Sequence, residues 1–299
     1  MNVGRPTGRP FAYLYLLHAR LFDMNTTRVA VMMPNYNNAD YVAEAIESIQ
    51  NQTYKDWHLY ISDDGSTDTS VSVITNAIKD DERITFVQQP SNIGNPANRN
   101  ALLKLAKHHE LLAILDSDDI AKPERLEQQV VFFNANTDID LVGSHLHIID
   151  TNGHLTGSRT FPLEKKGILK KFLSFNPVVQ GACMFKSSII GASQYDESLP
   201  RAEDYDFFIR LVLNGACPGN IDAFLTSYRI YDQDKYEKLK SGVSNGLKVR
   251  WKYKGSSLKN SSSLIALLKY ILAMLVLKVL PEQTAEQILR EKFNKRYDN

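Results

Sequence analysis

Asp116 and Asp118, two carboxylates separated by one residue, directly follow the apolar run Leu111–Leu115. If the chain stays extended past a strand, such positions project to one side. Converging carboxylates are costly unless something positive joins them. A hard divalent cation, Mg²⁺ or Mn²⁺, takes oxygen ligands of this kind and is usually shared with substrate phosphates. The plain alternative is a solvated turn or cap ahead of Pro123. Asp63-Asp64-Gly65-Ser66-Thr67-Asp68 closes another apolar run. One of its carboxylates could accept N–H bonds from a nucleobase, or Ser66 or Thr67 could simply begin a helix. Pro34-Asn35-Tyr36-Asn37 closes a third run. There the tyrosine offers an aromatic face for a base to stack on, against the alternative of an ordinary strand-to-helix turn. Asn92-Ile93-Gly94, followed by Arg99-Asn100, closes a fourth. Arg99 could pair with phosphate or brace the acidic loops.

The elements that must position these residues alternate regularly. Arg28–Met33, Trp57–Ser62, Ile84–Val87 and Leu111–Leu115 read as buried strands. Asp40–Gln50, Asp68–Ile78 and Ala97–Lys107 carry helical spacing between them. Such alternation predicts an α/β fold, a mostly parallel sheet with helices on both faces. Ligands of such sheets sit outside the carboxyl ends of the strands, where every polar cluster above lies. After Pro123 the spacing predicts a helix over 124–133 and a strand over 140–149 that turns at Thr151-Asn152-Gly153 into a hairpin. A helix over 165–175, a strand over 178–185, a helix over 203–213 and a strand over 221–231 follow. From Gln233 onward the chain reads as mainly helical.

Composition narrows the class. The chain has 299 residues, 43% hydrophobic and 23% charged, with a formal net charge of +1. That is globular composition, and it excludes a disordered chain or a polybasic nucleic-acid binder. Two cysteines make no disulfide framework and read as reduced thiols. His108-His109, His145 and His147 lack the company of cysteine and read as packed or solvated rather than zinc-binding.

The charge is unevenly spread. Residues 233–299 hold fourteen Lys/Arg against six Asp/Glu, a net of +8. Residues 1–27 carry +2, which leaves −9 for 28–232. An acidic body with a basic tail points to different partners for the two parts. Residues 1–27 lack a small-residue cleavage site after the apolar run Phe11–Leu17, so they form either an extension or an untranslated leader before a start at Met24. Leu264–Leu280 is apolar but carries Lys269 and Lys278, half a helical turn apart in phase. Its longest uninterrupted apolar run, Ile271–Leu277, falls short of a membrane span. Two readings stay open: a helix packed on the main domain, or an interfacial helix. In the second, Lys248, Arg250, Lys252, Lys254, Lys259, Lys292, Lys295 and Arg296 would attract anionic lipid.

Taken together, Pro-x-Tyr-Asn, Asp-Asp-Gly-Ser-x-Asp, Asn-x-Gly with Arg-Asn, and Asp-x-Asp-Asp resemble the nucleotide-sugar-binding half of family 2 glycosyltransferases with the GT-A fold. The resemblance is dense over 28–130 and thinner as far as Glu203-Asp204-Tyr205-Asp206-Phe207, which looks like the family's Glu-Asp motif. It implies a GT-A domain over 28–232, between the extension 1–27 and a basic helical region, 233–299. It implies an inverting transferase that uses a nucleotide-diphosphate sugar, usually of uridine, with Mn²⁺ or Mg²⁺. The acceptor would be a glycan or glycolipid of the cell surface, such as lipopolysaccharide or capsule, and nucleic acid would not be a partner. The site would be cytoplasmic, peripheral to the inner membrane. Carried over, Pro34 and Tyr36 line the base pocket, Asp64 bonds the base, and Arg99 lies near the nucleotide. Asp116 lies near ribose and metal, Asp118 binds the metal, and Asp204 is the catalytic base. Glu203 and Gln180 fall on the acceptor side. One departure is Tyr228-Arg229-Ile230-Tyr231, where relatives often have Tyr-Arg-x-His, so a histidine that could help hold metal or diphosphate is replaced by Tyr231 and the third metal contact stays open. Two rivals remain: a transferase to polyprenyl phosphate, and a catalytically silent nucleotide-sugar binder. A receiver-like phosphoacceptor domain is too short to account for Tyr36 and the second half of the chain.

Overall fold

The run Val29–Asn35 has no exposed residue, and its side chains alternate between two cores. Val29, Val31 and Met33 face one layer of helices, while Ala30 and Met32 face the other. A strand buried on both faces belongs in the middle of a helix-flanked sheet. The computed structural model describes residues 28–79, 81–231, 236–281 and 284–285. The 1–27 segment, its Met24 and the distal basic residues Lys292, Lys295 and Arg296 lie outside the described residues.

In chain order the first half comprises β1 (Val29–Asn35), α1 (Val42–Gln50), β2 (Trp57–Asp63), α2 (Ser70–Ile78), β3 (Ile84–Gln88), α3 (Asn95–Ala106) and β4 (Leu111–Ile114). β5 (Ile120–Ala121), α4 (Arg125–Ala135), β6 (Leu141–Ile149), β7 (Leu155–Arg159), α5 (Lys165–Lys171) and β8 (Met184–Lys186) follow. The chain ends with α6 (Glu203–Leu213), β9 (Pro218–Arg229), α7 (Tyr236–Lys252) and α8 (Ser261–Val279). One nine-stranded sheet runs β3-β2-β1-β4-β8-β6-β9-β5, with β7 paired to β6. Its first four strands are mutually parallel, whereas β8 enters antiparallel between β4 and β6. The parallel half therefore delivers the loops after β1, β2, β3 and β4 to one edge.

Two expected elements differ. Residues 178–185 form no continuous strand: Gln180–Ala182 is a 3₁₀ turn, and only Met184–Lys186 pairs. Arg125 and Gln129 take the carbonyls of Gly181 and Ala182 that a strand partner would need, and Gly181 packs so close to the acidic loop that a Cβ there would lie 2.8 Å from Asp119 Oδ2. The helix expected over 165–175 ends at Lys171. The hairpin at 151–153 is present, with Gly153 in the left-handed region at φ 83°.

The second core binds the tail to the body. Phe207 and Phe208 of α6 pack with Phe172, Phe185, Val249, Tyr253 and Leu258. Asp206, fully buried, accepts from Arg210 at 2.7 Å, Tyr253 at 2.8 Å and Lys252 at 2.9 Å. A buried carboxylate needs such partners, because an unpaired charge there would cost several kcal/mol, about 3–5. α7 is thereby fastened to the same helix that carries Glu203 and Asp204 in its first turn.

Candidate active site

The loop after β2 is built by its first aspartate. Asp63 sits opposite Asn35 in register and accepts from Asn35 Nδ2 at 2.7 Å and from the Ser66 amide at 2.9 Å. Asp64 turns the other way. Its two oxygens accept the amides of Ile93 (2.8 Å) and Gly94 (3.1 Å), and burial raises its pKa. The loops after β2 and β3 are thus laced together. Asp68 binds the amides of Ala39 and Ser70, and Asn37 accepts from the Thr67 amide, so the loop after β1 joins the same cradle. Tyr36 rises from this cradle with 44% of its surface exposed. Pro34 is buried and shares a small interior space with Arg99, Leu102 and Tyr195.

Gly65 is the hinge of the lacing. It holds φ 68°, and a Cβ would meet the Ser91 carbonyl carbon at 2.5 Å. Strain at a left-handed position and a backbone clash add in the same direction. Gly65→Ala is therefore expected to cost about 2 kcal/mol or more, read as a lower urea midpoint at unchanged m-value. A midpoint equal to that of the unmodified protein would contradict the interlock.

Past β4 the chain does not stay extended. The Asp119 amide donates to the Asp116 carbonyl at 3.1 Å, closing a turn over 116–119. Three acids crowd this turn because buried cations lie against it. Arg99, from α3, donates to Asp116 at 2.8 Å and stands 3.5 Å from Glu203. The Gln180 amide satisfies its neighbours when its oxygen faces Arg99, at 2.6 Å from Nη1, and its nitrogen faces the Tyr195 hydroxyl. Arg125, with no exposed surface, donates to the carbonyls of Ile114, Gly181 and Cys183, and burial lowers its pKa to about 10. Arg229 spans the loops. Its amide donates to Asp119 and its side chain to Asp118 O, Asp150 O and Glu44.

Asp118 has its pKa raised by burial and by the charge of Asp116, opposed by the Tyr231 hydroxyl that donates to Oδ2 at 2.9 Å. Asp119 is pushed up further by burial and by the neighbouring acids, and its Oδ2 has no partner among the described residues. Tyr231 and Arg99 each take one oxygen, of Asp118 and Asp116 respectively, and among the described residues no side chain donates to the second oxygen of either acid. That donor set fits a Mg²⁺ or Mn²⁺ ion held by one or two carboxylates, with phosphate and water completing its shell. Among the described residues no group of three or more His, Cys, Asp or Glu side chains converges to cage a metal. A cation here would offset the repulsion that raises the Asp118 pKa.

Across the sheet edge, α6 opens at Glu203 directly after Ala202, a non-glycine residue at φ 63°. Glu203 is buried, bonded by Asn95 at 2.8 Å. Burial and the charge of Asp204 raise its pKa to about 7. Asp204 is held by Asn176 at 3.2 Å, and burial raises its pKa. Asp204 also lines a cleft of about 270 Å³ whose walls include Leu146, Ile148, Asn176, Arg250 and Tyr270. Glu203 does not line it. α7 and α8 therefore contribute to the same cleft as Asp204. Arg250 stacks over Tyr270 at 3.8 Å and Tyr205 at 4.9 Å, and donates to the Ser174 carbonyl.

The structure thus gathers Arg99, Asp116, Glu203 and Gln180 into one linked group, with Asp118 on the same acidic turn and Asp204 beside Glu203. It holds Tyr36 and Asp64 on a neighbouring cradle. Sequence reasoning missed Arg125 and the cleft walls from α7 and α8. Arg125 stands two residues after Pro123 with no motif around it, whereas Arg229 lay inside a quoted segment without a role.

A model of the family described as glycosyl transferase family 2 matches residues 30–192. An uncharacterised glycosyltransferase of Methanocaldococcus jannaschii is 38% identical over 241 residues, covering 78% of this chain and 82% of that protein. The O-antigen biosynthesis glycosyltransferase WbnJ of Escherichia coli is 28% identical, covering 72% and 82%. Among solved structures, S. aureus TarS 1–349 in complex with UDP-GlcNAc superposes with a TM-score of 0.64 at 18% identity, over 86% of this chain and 77% of that one. The mannosyltransferase PcManGT of Pyrobaculum calidifontis, in complex with GDP-Man and Mn²⁺, gives 0.62 at 15% identity, over 94% and 87%. The fold is of the GT-A type. The chain belongs to glycosyl transferase family 2. The family match ends before Glu203 and Asp204.

Proposed function

We propose that the protein transfers a sugar from a nucleotide-diphosphate donor, a UDP-sugar, to a hydroxyl of a cell-surface glycan or glycolipid, with inversion at the anomeric carbon. The observation that carries the reading is the placement of Asp204. It heads a helix, lines an open cleft, and is tied through Glu203 and Arg99 to the acidic turn 116–119. Tyr36 and the Asp64 cradle hold the base, and Arg99 fixes the position of Asp116. Mn²⁺ or Mg²⁺ on Asp118 and Asp116 would neutralise the departing diphosphate. Asp204 takes the proton of the acceptor hydroxyl as that oxygen attacks from the face opposite the leaving group. No second nucleophilic carboxylate is needed for a single displacement. Glu203 orients, held by Asn95 and Arg99. The TarS and PcManGT complexes support a nucleotide-sugar donor and a divalent ion, and WbnJ supports a surface-glycan acceptor. The buried free thiols Cys183 and Cys217 support a reducing, cytoplasmic setting.

A thermal-shift screen of nucleotide sugars with Mn²⁺ tests the donor, because a ligand that binds only the native state raises its apparent stability. A flat response across uridine and guanosine donors would remove the reading. With the donor found, turnover should fall on acidification along a limb above the usual carboxylate range. The sign follows from burial: Asp204 must be ionised to act, and its pKa is raised, so activity is lost as pH drops through that raised value. A profile flat down to pH ~4 would count against Asp204 as base.

A further inference from the structure

α8 presents two apolar faces. Ala266, Tyr270, Ala273 and Leu277 are buried; the last three pack with Tyr236 and Val243 of α7, and Tyr270 also walls the cleft of Asp204. On the far side, Leu264, Ile265, Leu268, Leu272, Leu275 and Val279 stand between 45% and 76% exposed. At 3.6 residues per turn these six fall on one continuous stripe, with Lys269 on one border and Lys278 on the other. A contiguous apolar stripe of this size on a surface helix marks an interaction site.

We propose that this stripe is a docking surface for an anionic lipid bilayer, with α8 lying in the plane of the headgroups. Charge complementarity selects the occupant. Lys269 and Lys278 flank the stripe where their stems can lie along lipid while their ammonium groups reach phosphate. The start of α8 is bonded to α5, since Asn260 Nδ2 and Ser262 Oγ donate to the Lys170 carbonyl. α5 and its flank expose Lys165, Lys166, Lys170 and Lys171, with Glu164 the one acid beside them, and Lys259 precedes α8. A second copy of the chain would bring a second set of these lysines to the interface, whereas an anionic surface is attracted by them. By length and composition α8 could also cross a membrane. Its packed face argues against crossing, because α7 alongside would carry Lys248, Arg250 and Lys252 into the hydrocarbon.

The consequence for catalysis rests on the glycosyltransferase reading, although the docking itself does not. Tyr270 lines the cleft of Asp204 from the face of α8 opposite the stripe, so docking would set the same helix against both the bilayer and the cleft.

Flotation of the full chain with vesicles tests the surface. Binding to phosphatidylglycerol-containing vesicles, weak binding to pure phosphatidylcholine, and loss at high salt are expected. Leu268→Glu with Leu272→Glu removes apolar area at two exposed positions and should weaken partitioning by at least about 10-fold, with melting temperature and UDP binding unchanged. Replacing Lys165, Lys166, Lys170 and Lys171 by Gln should flatten the salt dependence. Absence of flotation, equal binding by the double leucine variant, or a dimer that this variant splits without any lipid binding would each overturn the proposal. Retained flotation without any nucleotide-sugar binding would leave the docking surface standing and remove the transferase reading.

Discussion

Asp204→Asn is expected to leave UDP affinity within a few-fold and to lower turnover by a factor on the order of 10²–10⁴. The amide keeps the shape of the side chain and can still accept from Asn176, so the head of α6 should not move. What it loses is basicity, and a base acts on the acceptor's proton without touching the nucleotide. The separation of binding from turnover is therefore the diagnostic result. Release of UDP from the productive donor, with calorimetry on the same samples, measures both. Glu203→Gln should cost less, because Glu203 is held by Asn95 and Arg99 and lines no part of the cleft. Near-normal transfer by Asp204→Asn beside a dead Glu203→Gln would exchange the two roles. Asp206 is no substitute base: Arg210, Lys252 and Tyr253 occupy it and it has no exposed surface.

The parallel half of the sheet was legible because its strands are buried on both faces. Val29–Met33 and Leu111–Leu115 are short apolar runs with polar stops, and stops of that kind mark the carboxyl ends where loops gather. What periodicity cannot carry is contact between distant segments. Gln180–Ala182 sits in an apolar stretch that reads as strand, yet Arg125 and Gln129 bind the carbonyls of Gly181 and Ala182 in a 3₁₀ turn. Arg99 was open between phosphate ligand and brace. The ion pair with Asp116, the approach to Glu203 and the Gln180 amide show it bracing. The spacing of Asp116 and Asp118 reads as two carboxylates on one side of an extended chain. The Asp119 amide instead turns the chain back on Asp116, and the two acids are held by Arg99 and Tyr231 respectively, not by strand geometry. Helix α8 shows the same limit. Two lysines half a turn apart read as spoiling its amphipathicity, but once one face is packed they fall on the borders of the other.

Asp118→Asn should abolish metal-dependent nucleotide binding while leaving the empty protein at least as stable as before. The stability half follows from the direction of its pKa. Burial and Asp116 raise the folded value, so the protonated form is favoured by folding, and that contribution is lost as pH rises through the raised pKa. The ionised carboxylate therefore opposes folding, and a neutral amide removes the opposition. Tyr231 can donate to the amide oxygen as it does to the carboxylate, so the loop keeps its anchor. The binding half has the opposite sign. UDP carries negative charge towards a turn that already holds Asp116, Asp118 and Asp119, and only a cation makes that approach favourable. With Mn²⁺ present, the substitution should weaken UDP by a factor on the order of 10² or more, as for one partner removed from a desolvated charge pair. EDTA should do the same to the unmodified protein. Titration calorimetry with UDP, with and without Mn²⁺, alongside melting curves of both proteins, reads each half separately. Equal UDP affinity in EDTA and in Mn²⁺ for the unmodified chain would mean that Arg99 and the loop amides carry the diphosphate without a metal. A lowered melting temperature for empty Asp118→Asn would mean that the carboxylate is a structural brace of the turn, held by Tyr231 and Arg229 for the fold rather than for the ion.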